Sequence, residues 1–102
     1  MKRLFLILPF IITQFASAKD HTITQKGKAF SESEITLAPG DNLIFKNDDD
    51  TSHNVFSSVE PMKFNLGIQK PGSEAAHKFD SAGVAELRCA IHPKMKIKVT
   101  VK

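Results

Sequence analysis

One cysteine, no tyrosine and no tryptophan occur in the 102 residues. A lone cysteine excludes an internal disulfide, so Cys89 is a free thiol, half of an intermolecular bridge or a metal ligand. Without tyrosine or tryptophan, aromatic packing falls to phenylalanine. Phe30, Phe45, Phe56 and Phe79 lie in strand-like runs, where aromatics usually form core. No apolar run approaches the ~20 residues that span a bilayer; the stretch from Leu4 to Ile12 is far too short. Helical periodicity of any convincing length, internal repeats and low-complexity tracts are also missing. Basic residues do not concentrate on one face, which argues against a nucleic-acid partner. No paired acid and base frames a substrate pocket, so an enzyme is not expected.

What is present begins with an export signal. Lys2 and Arg3 precede the apolar stretch, and Ala16-Ser17-Ala18 places small residues before a cleavage point. Residues 1–18 therefore read as a secretory signal peptide and residues 19–102 as one small domain. Removing the signal takes Lys2 and Arg3 away and lowers the formal net charge from +3 to +1. No cysteine stands at the cleavage point, which argues against a lipid anchor. The expected location is the periplasm, as a monomer without stable membrane insertion. A domain this small buries limited apolar area and often relies on a disulfide or a metal.

The mature chain reads as all-β. Residues 21–25, "HTITQ", alternate, and "ITLAPGDNLIFKN" gives two apolar runs around Pro39-Gly40, a pair that suits a type II turn with Gly40 at positive φ. In "GVAELRC", Ala85, Leu87 and Cys89 share one face; in "MKIKVTVK", Met95, Ile97, Val99 and Val101 do the same. Turn signals fall at residues 47–51, 70–73 and 80–83. About seven to eight short strands imply a sandwich.

That alternation has a chemical consequence. Cys89 and Met95 continue the inward faces of two successive strands, and His92 lies in the turn between them. Thiol, imidazole and thioether thus converge at one end of the sandwich. They form a soft donor set that suits copper cycling between two oxidation states better than magnesium or calcium. A blue-copper centre needs a second histidine, and His53 opens the strand "HNVF" after the polar loop "NDDDTS".

His53-Asn54-Val55 followed by Cys89-x-x-His92-x-x-Met95 resembles the cupredoxins: plastocyanin, pseudoazurin and especially amicyanin, whose short gap between histidine and methionine and following proline are similar to His92-Pro93 here. The sequence also resembles small cupredoxins labelled methylamine-utilisation proteins. The resemblance covers residues 21–102. It implies a Greek-key β-sandwich, one type 1 copper cycling between Cu(I) and Cu(II), and electron transfer with redox partners such as a c-type cytochrome or a periplasmic dehydrogenase. It also implies that Asn54 helps hold the cysteine loop. Where such proteins often have Ser-Pro or Thr-Pro after the cysteine, Ala90-Ile91 stand here.

The function expected is a periplasmic blue-copper electron carrier, with His53, Cys89, His92 and Met95 as ligands and Ile91 and Pro93 as the docking edge. The competing expectation is a copper chaperone or store. Met62 is the alternative thioether, but it sits between Pro61 and Lys63 in a loop. Asp48-Asp49-Asp50 reads first as a solvated loop and second as a docking patch. His77 shares parity with Phe79 and reads as structural or surface. His21 begins the first strand; with a terminus at Lys19, the sequence Lys19-Asp20-His21 could alternatively wrap a Cu(II) ion.

Overall fold

A computed structural model describes residues 18–102. Nine strands follow in order: β1 (Asp20–Lys26), β2 (Ala29–Phe30), β3 (Glu34–Leu37), β4 (Asp41–Asn47), β5 (His53–Ser57), β6 (Phe64–Gln69), β7 (Glu74–Phe79), β8 (Gly83–Cys89) and β9 (Lys96–Val101). The expected signal peptide, apart from Ala18, lies outside the described residues. The strands form two mixed sheets, β2-β1-β4-β7 and β3-β9-β8-β5-β6. Strands β1 and β4 run parallel, as do β3 and β9; the remaining pairings are antiparallel. This is the all-β sandwich that the alternating patterns imply, with one or two more strands than they show. The additions are β2, only two residues long, and β6, whose alternation is broken by Gly67 and by a register shift against β5.

The core lies between the sheets. Ile23, Leu43, Phe45, Val55, Leu87, Ile97 and Val99 are completely buried, and Leu37, Phe79, Ala85 and Val101 nearly so. These are the inward positions of strands with period-two alternation, and burial of such side chains is the main favourable term for the fold. Of the phenylalanines expected inside, Phe45 and Phe79 are core, Phe30 is partly buried against it, and Phe56 is only half-buried. Met62 belongs to the core, its methyl against Gly83. Gly83 begins β8 and Cys89 ends it. Met62 therefore packs about 20 Å from the thiol, by the ~3.3 Å rise per strand residue, and is no rival to Met95.

Two turns fix the strand ends that matter. Ala38-Pro39-Gly40-Asp41 closes with Asp41 N–H donating to the Ala38 carbonyl at 3.0 Å, and Gly40 takes φ +95° as a type II turn requires. Gly27 and Lys28 connect β1 to β2 with both φ angles positive, +61° and +54°, the geometry of a two-residue hairpin turn. Lysine is uncommon in that region, so something must hold it there.

His77 links the edges of the two sheets. Its ring stacks on Phe64 of β6 at 3.8 Å between centroids and meets Phe79 edge-on. Burial in this aromatic setting pulls its pKa below the usual value, against the opposing pull of Asp80. Because the folded form resists protonation more than the unfolded chain does, the stability tied to His77 is present above about pH 6.5 and is lost as pH falls below it. His77→Phe keeps an aromatic ring on Phe64 and removes the titration. Thermal melts at pH 7.5 and 5.5 should show a smaller acid-induced loss in His77→Phe than in the native protein; equal losses would remove His77 from the pH dependence.

Candidate metal centre

The sheet β3-β9-β8-β5-β6 brings the four expected residues to one end of the molecule. Val55 of β5 lies opposite Cys89 of β8, so His53, two residues earlier, projects beside the thiol at the end of the pair. Leaving β8, the chain makes a tight turn over His92-Pro93-Lys94-Met95, closed by Met95 N–H donating to the His92 carbonyl at 2.9 Å. Proline at the second position of such a turn has its φ preset. Met95, immediately before β9, has its side chain buried, although it and Cys89 lie outside the contiguous aliphatic cluster.

Three donor atoms face one another. His53 Nδ1 and His92 Nδ1 are 3.2 Å apart, and Cys89 Sγ lies 3.9 Å from the first and 3.8 Å from the second. A triangle with these sides has its centre about 2.1 Å from every corner. Metal–imidazole bonds of about 2.0–2.1 Å and metal–thiolate bonds of about 2.3 Å match that span. His53 is completely buried, Cys89 is 1% exposed, and His92 is half-buried. A trigonal pair of imidazoles with one thiolate is the donor set of a blue-copper site, completed by a weak axial thioether. The residues present therefore fit copper.

The neighbours of the triangle orient its members. Asp49 Oδ2 lies 2.9 Å from His53 Nε2. A carboxylate can only accept, so the ring proton sits on Nε2 and Nδ1 presents its lone pair to the triangle. The same oxygen accepts the Lys28 N–H at 2.8 Å. That bond comes first, and the His53 bond second, among the influences that hold the Asp49 carboxyl well below the ordinary range. It also anchors Lys28 in its unusual conformation. Asp49 is itself placed by buried Asn47, whose Oδ1 accepts the Asp49 N–H and whose Nδ2 donates to the carbonyls of Thr51 and Gln69, each at 3.0 Å.

Asn54 meets the cysteine through its main chain. Its main-chain N–H donates to Cys89 Sγ at 3.3 Å, but its side-chain amide donates to Asn65 Oδ1 and the Gly67 carbonyl, bracing β6. The hold on the cysteine is thus made by backbone. Asp49 was not legible as a contributor within an acidic run; the available signal was a carboxylate four residues before the histidine. The alternative Cu(II) wrap at Lys19-Asp20-His21 finds no support in the geometry. Asp20 and His21 are paired along β4, and the His21 ring is turned to Asp41 at 3.0 Å. An extended strand spreads successive nitrogens instead of folding them into a square.

The nine-stranded sandwich and the trigonal donor cluster define a small copper protein of the cupredoxin type. Residues 18–102 match the model of the copper-binding plastocyanin/azurin family, and the chain belongs to that family. Copper is accordingly its cofactor, in one type 1 site. Among curated proteins, it is 29% identical over 87 residues to the methylamine utilization protein MauL of Methylophilus methylotrophus, a match covering 82% of this chain; the chain spans half the length of that relative. A purple cupredoxin from Nitrosopumilus maritimus superposes with a TM-score of 0.70 at 25% identity over 79% of this chain and 98% of the other. A Cu(I) mutant of amicyanin superposes with a TM-score of 0.75 at 20% identity, covering 79% and 80% of the two chains; this likeness concerns the fold.

The role given to Asp49 can be checked. Outer carboxylates that hold ligating histidines typically contribute 10–100-fold to metal affinity. Asp49→Ala should lower copper affinity by about that factor, measured by competition with a chelator, while the far-ultraviolet circular dichroism stays that of the native sandwich. Asp49→Asn retains an accepting oxygen and should lose less. Equal affinity in the alanine variant and the native protein would rule the carboxylate out.

Proposed function

We propose that this protein is a periplasmic blue-copper electron carrier, with His53, Cys89 and His92 as the strong ligands and Met95 as the axial one. The observation that supports this most is the preformed triangle, whose three donors converge on a point at bonding distance while two of their three side chains are buried. Copper bound there would supply a one-electron couple between Cu(I) and Cu(II). The chain keeps the donors fixed: Asp49 sets the proton on His53, the Asn54 N–H holds the sulfur, and the Pro93 turn holds His92. A chaperone or store would call for an open site that releases its ion, and burial of His53 and Cys89 speaks against that. Family membership and the lack of a legible catalytic pair favour a carrier over an enzyme.

Export rests on the reading of residues 1–18 as a signal peptide and 19–102 as the mature monomeric domain. Its partners would be redox proteins such as a c-type cytochrome or a periplasmic dehydrogenase. The docking edge would be the ground around His92. Gly27, Lys28, Ile91, His92, Pro93 and Lys94 line a shallow depression there, and Ile91 is 46% exposed. An apolar edge over a half-buried ligand lets a partner come near the metal without tight binding, as small redox interfaces do.

Two experiments test these assignments. Adding Cu(II) to the mature protein should produce an intense visible thiolate-to-copper band, and Cys89→Ser should abolish it while leaving the β-sheet circular dichroism unchanged. Persistence of the band in the serine variant would exclude Cys89 as the thiolate. For docking, Ile91→Lys should leave that band in place and slow electron exchange with the native partner in stopped-flow mixing. An unchanged rate, together with a large loss on neutralising Asp48 and Asp50, would move the contact to the acidic loop.

A further inference from the structure

At the opposite end of β4 from Asn47 is a buried carboxylate, that of Asp41, which is 4% exposed. Its Oδ1 accepts the Lys19 N–H at 3.0 Å. Its Oδ2 accepts the Ala38 N–H at 3.0 Å and faces His21 Nε2 at 3.0 Å. The Lys19 carbonyl accepts the Asn42 N–H at 2.9 Å, so the sheet takes hold of the chain at this residue, one position before β1 begins. These contacts hold the Asp41 carboxyl below the ordinary range, the Lys19 N–H contributing most, then Ala38 and then His21. The neighbouring Asp20 carboxylate is engaged by Asn42 Nδ2 at 3.0 Å and lies apart from this cluster.

The Lys19 nitrogen belongs to the peptide bond that export processing would hydrolyse. In the unprocessed chain it offers Asp41 one N–H and no charge. Hydrolysis by a signal peptidase adds water across the Ala18–Lys19 bond: the carbonyl carbon of Ala18 gains the hydroxyl and leaves as a carboxylate, and the Lys19 nitrogen keeps its hydrogen and gains protons to become an ammonium. An α-amino group has a pKa near 7.7–8.0, so it is mostly charged at neutral pH. It then stands 3.0 Å from a carboxylate that is already shielded from water. A charge-assisted bond of this kind is roughly twice as strong as a neutral one.

We propose that Asp41 is the receptor for the α-ammonium created by cleavage between Ala18 and Lys19, and that the charge gained there fastens the start of β1 to β4 more firmly in the processed protein than in the unprocessed one. The site takes a primary ammonium on the chain's own terminus, and it makes processing a stabilising event for the fold as well as a release from the export machinery. The inference rests on the export reading of residues 1–18 but not on the copper chemistry.

Three forms of residues 19–102, a segment that contains all nine strands, separate the parts. They are the chain with a free Lys19 amine, the same chain acetylated at that nitrogen, and the chain preceded by Ala16-Ser17-Ala18. The free-amine form should melt about 4–8 °C above the other two, the shift that a modest stabilisation produces in a domain of this size. Asp41→Asn should remove most of that difference. Since Asp41→Asn could disturb the Pro39-Gly40 turn, the α-amino group of the native sequence should also be titrated by NMR; its pKa should lie about one unit or more above the usual value. Equal melting of the three forms, or an α-amino pKa in the ordinary range, overturns the pairing. N-terminal sequencing of the protein recovered after export should give Lys19; any other first residue overturns the inference through its cleavage step and leaves the melting comparison to report on the contact itself.

Discussion

Imidazole and thiol side chains do not face one another at 3.2–3.9 Å unless the backbone forces them to. Here the forcing element is the antiparallel joint of β5 and β8, in which Val55 is opposite Cys89. One residue of slip would turn Cys89 to the solvent face and carry His53 past it, because side chains alternate strictly along a strand. Register is protected by the buried face: Val55, Ala85 and Leu87 must stay inside, and they fix which way Cys89 points. The aliphatic core and the metal centre are therefore consequences of one registration.

Around that joint, the polar groups form a chain of supports. Asn47 is completely buried and touches the loop of residues 48–52 from within; Asp49 reaches from that loop to His53; Lys28 reaches to Asp49 from the hairpin of β1 and β2. The side-chain amide of Asn47 and the Nε2 of His53 have partners, as burial demands, whereas Asn54 Oδ1 on β5 is buried without one. The arrangement explains why an aspartate in an acidic run is ionised inside the protein: three backbone or ring donors surround its carboxyl, and their favourable interaction exceeds the penalty of desolvation.

How much of this could be read in advance follows from the range of the interactions. The inward faces of β8 and β9 are written in strict alternation, so Cys89, Met95 and the aliphatic residues beyond them could be placed on one side. The pairing of Pro39 with Gly40 gave its turn by local stereochemistry alone. By contrast, β6 was hidden because Gly67 and the bulge against β5 break the period, and β2 exists only because a two-residue turn folds it against β1. Asp49 was hidden for a deeper reason. An acidic triplet looks solvated until a hairpin from 21 residues away closes over it, and no local pattern encodes that closure. Asn54 could be placed beside the cysteine but not by which atom, since the choice between its amide and its N–H depends on where β6 comes to lie.

The same physics recurs at both ends of β4. Asp41 opens the strand and Asp49 follows its end by two residues, and each carboxylate gathers main-chain N–H donors together with one histidine. Strand β1 runs parallel to β4 between them, with Lys19 and His21 held at one end and the Lys28 turn at the other. A parallel pair has no hairpin to set its register, so fastening both ends by ionised acceptors does that work. The two clamps differ in what the histidine does with its remaining nitrogen. His21 spends its contact on the fold, whereas His53 uses Asp49 to hold one nitrogen and aims the other at Cys89 and His92. A surface-style clamp thus becomes part of a metal centre by the orientation of a single ring, and the rigidity of β1 and β4 passes directly to the donor that the centre depends on.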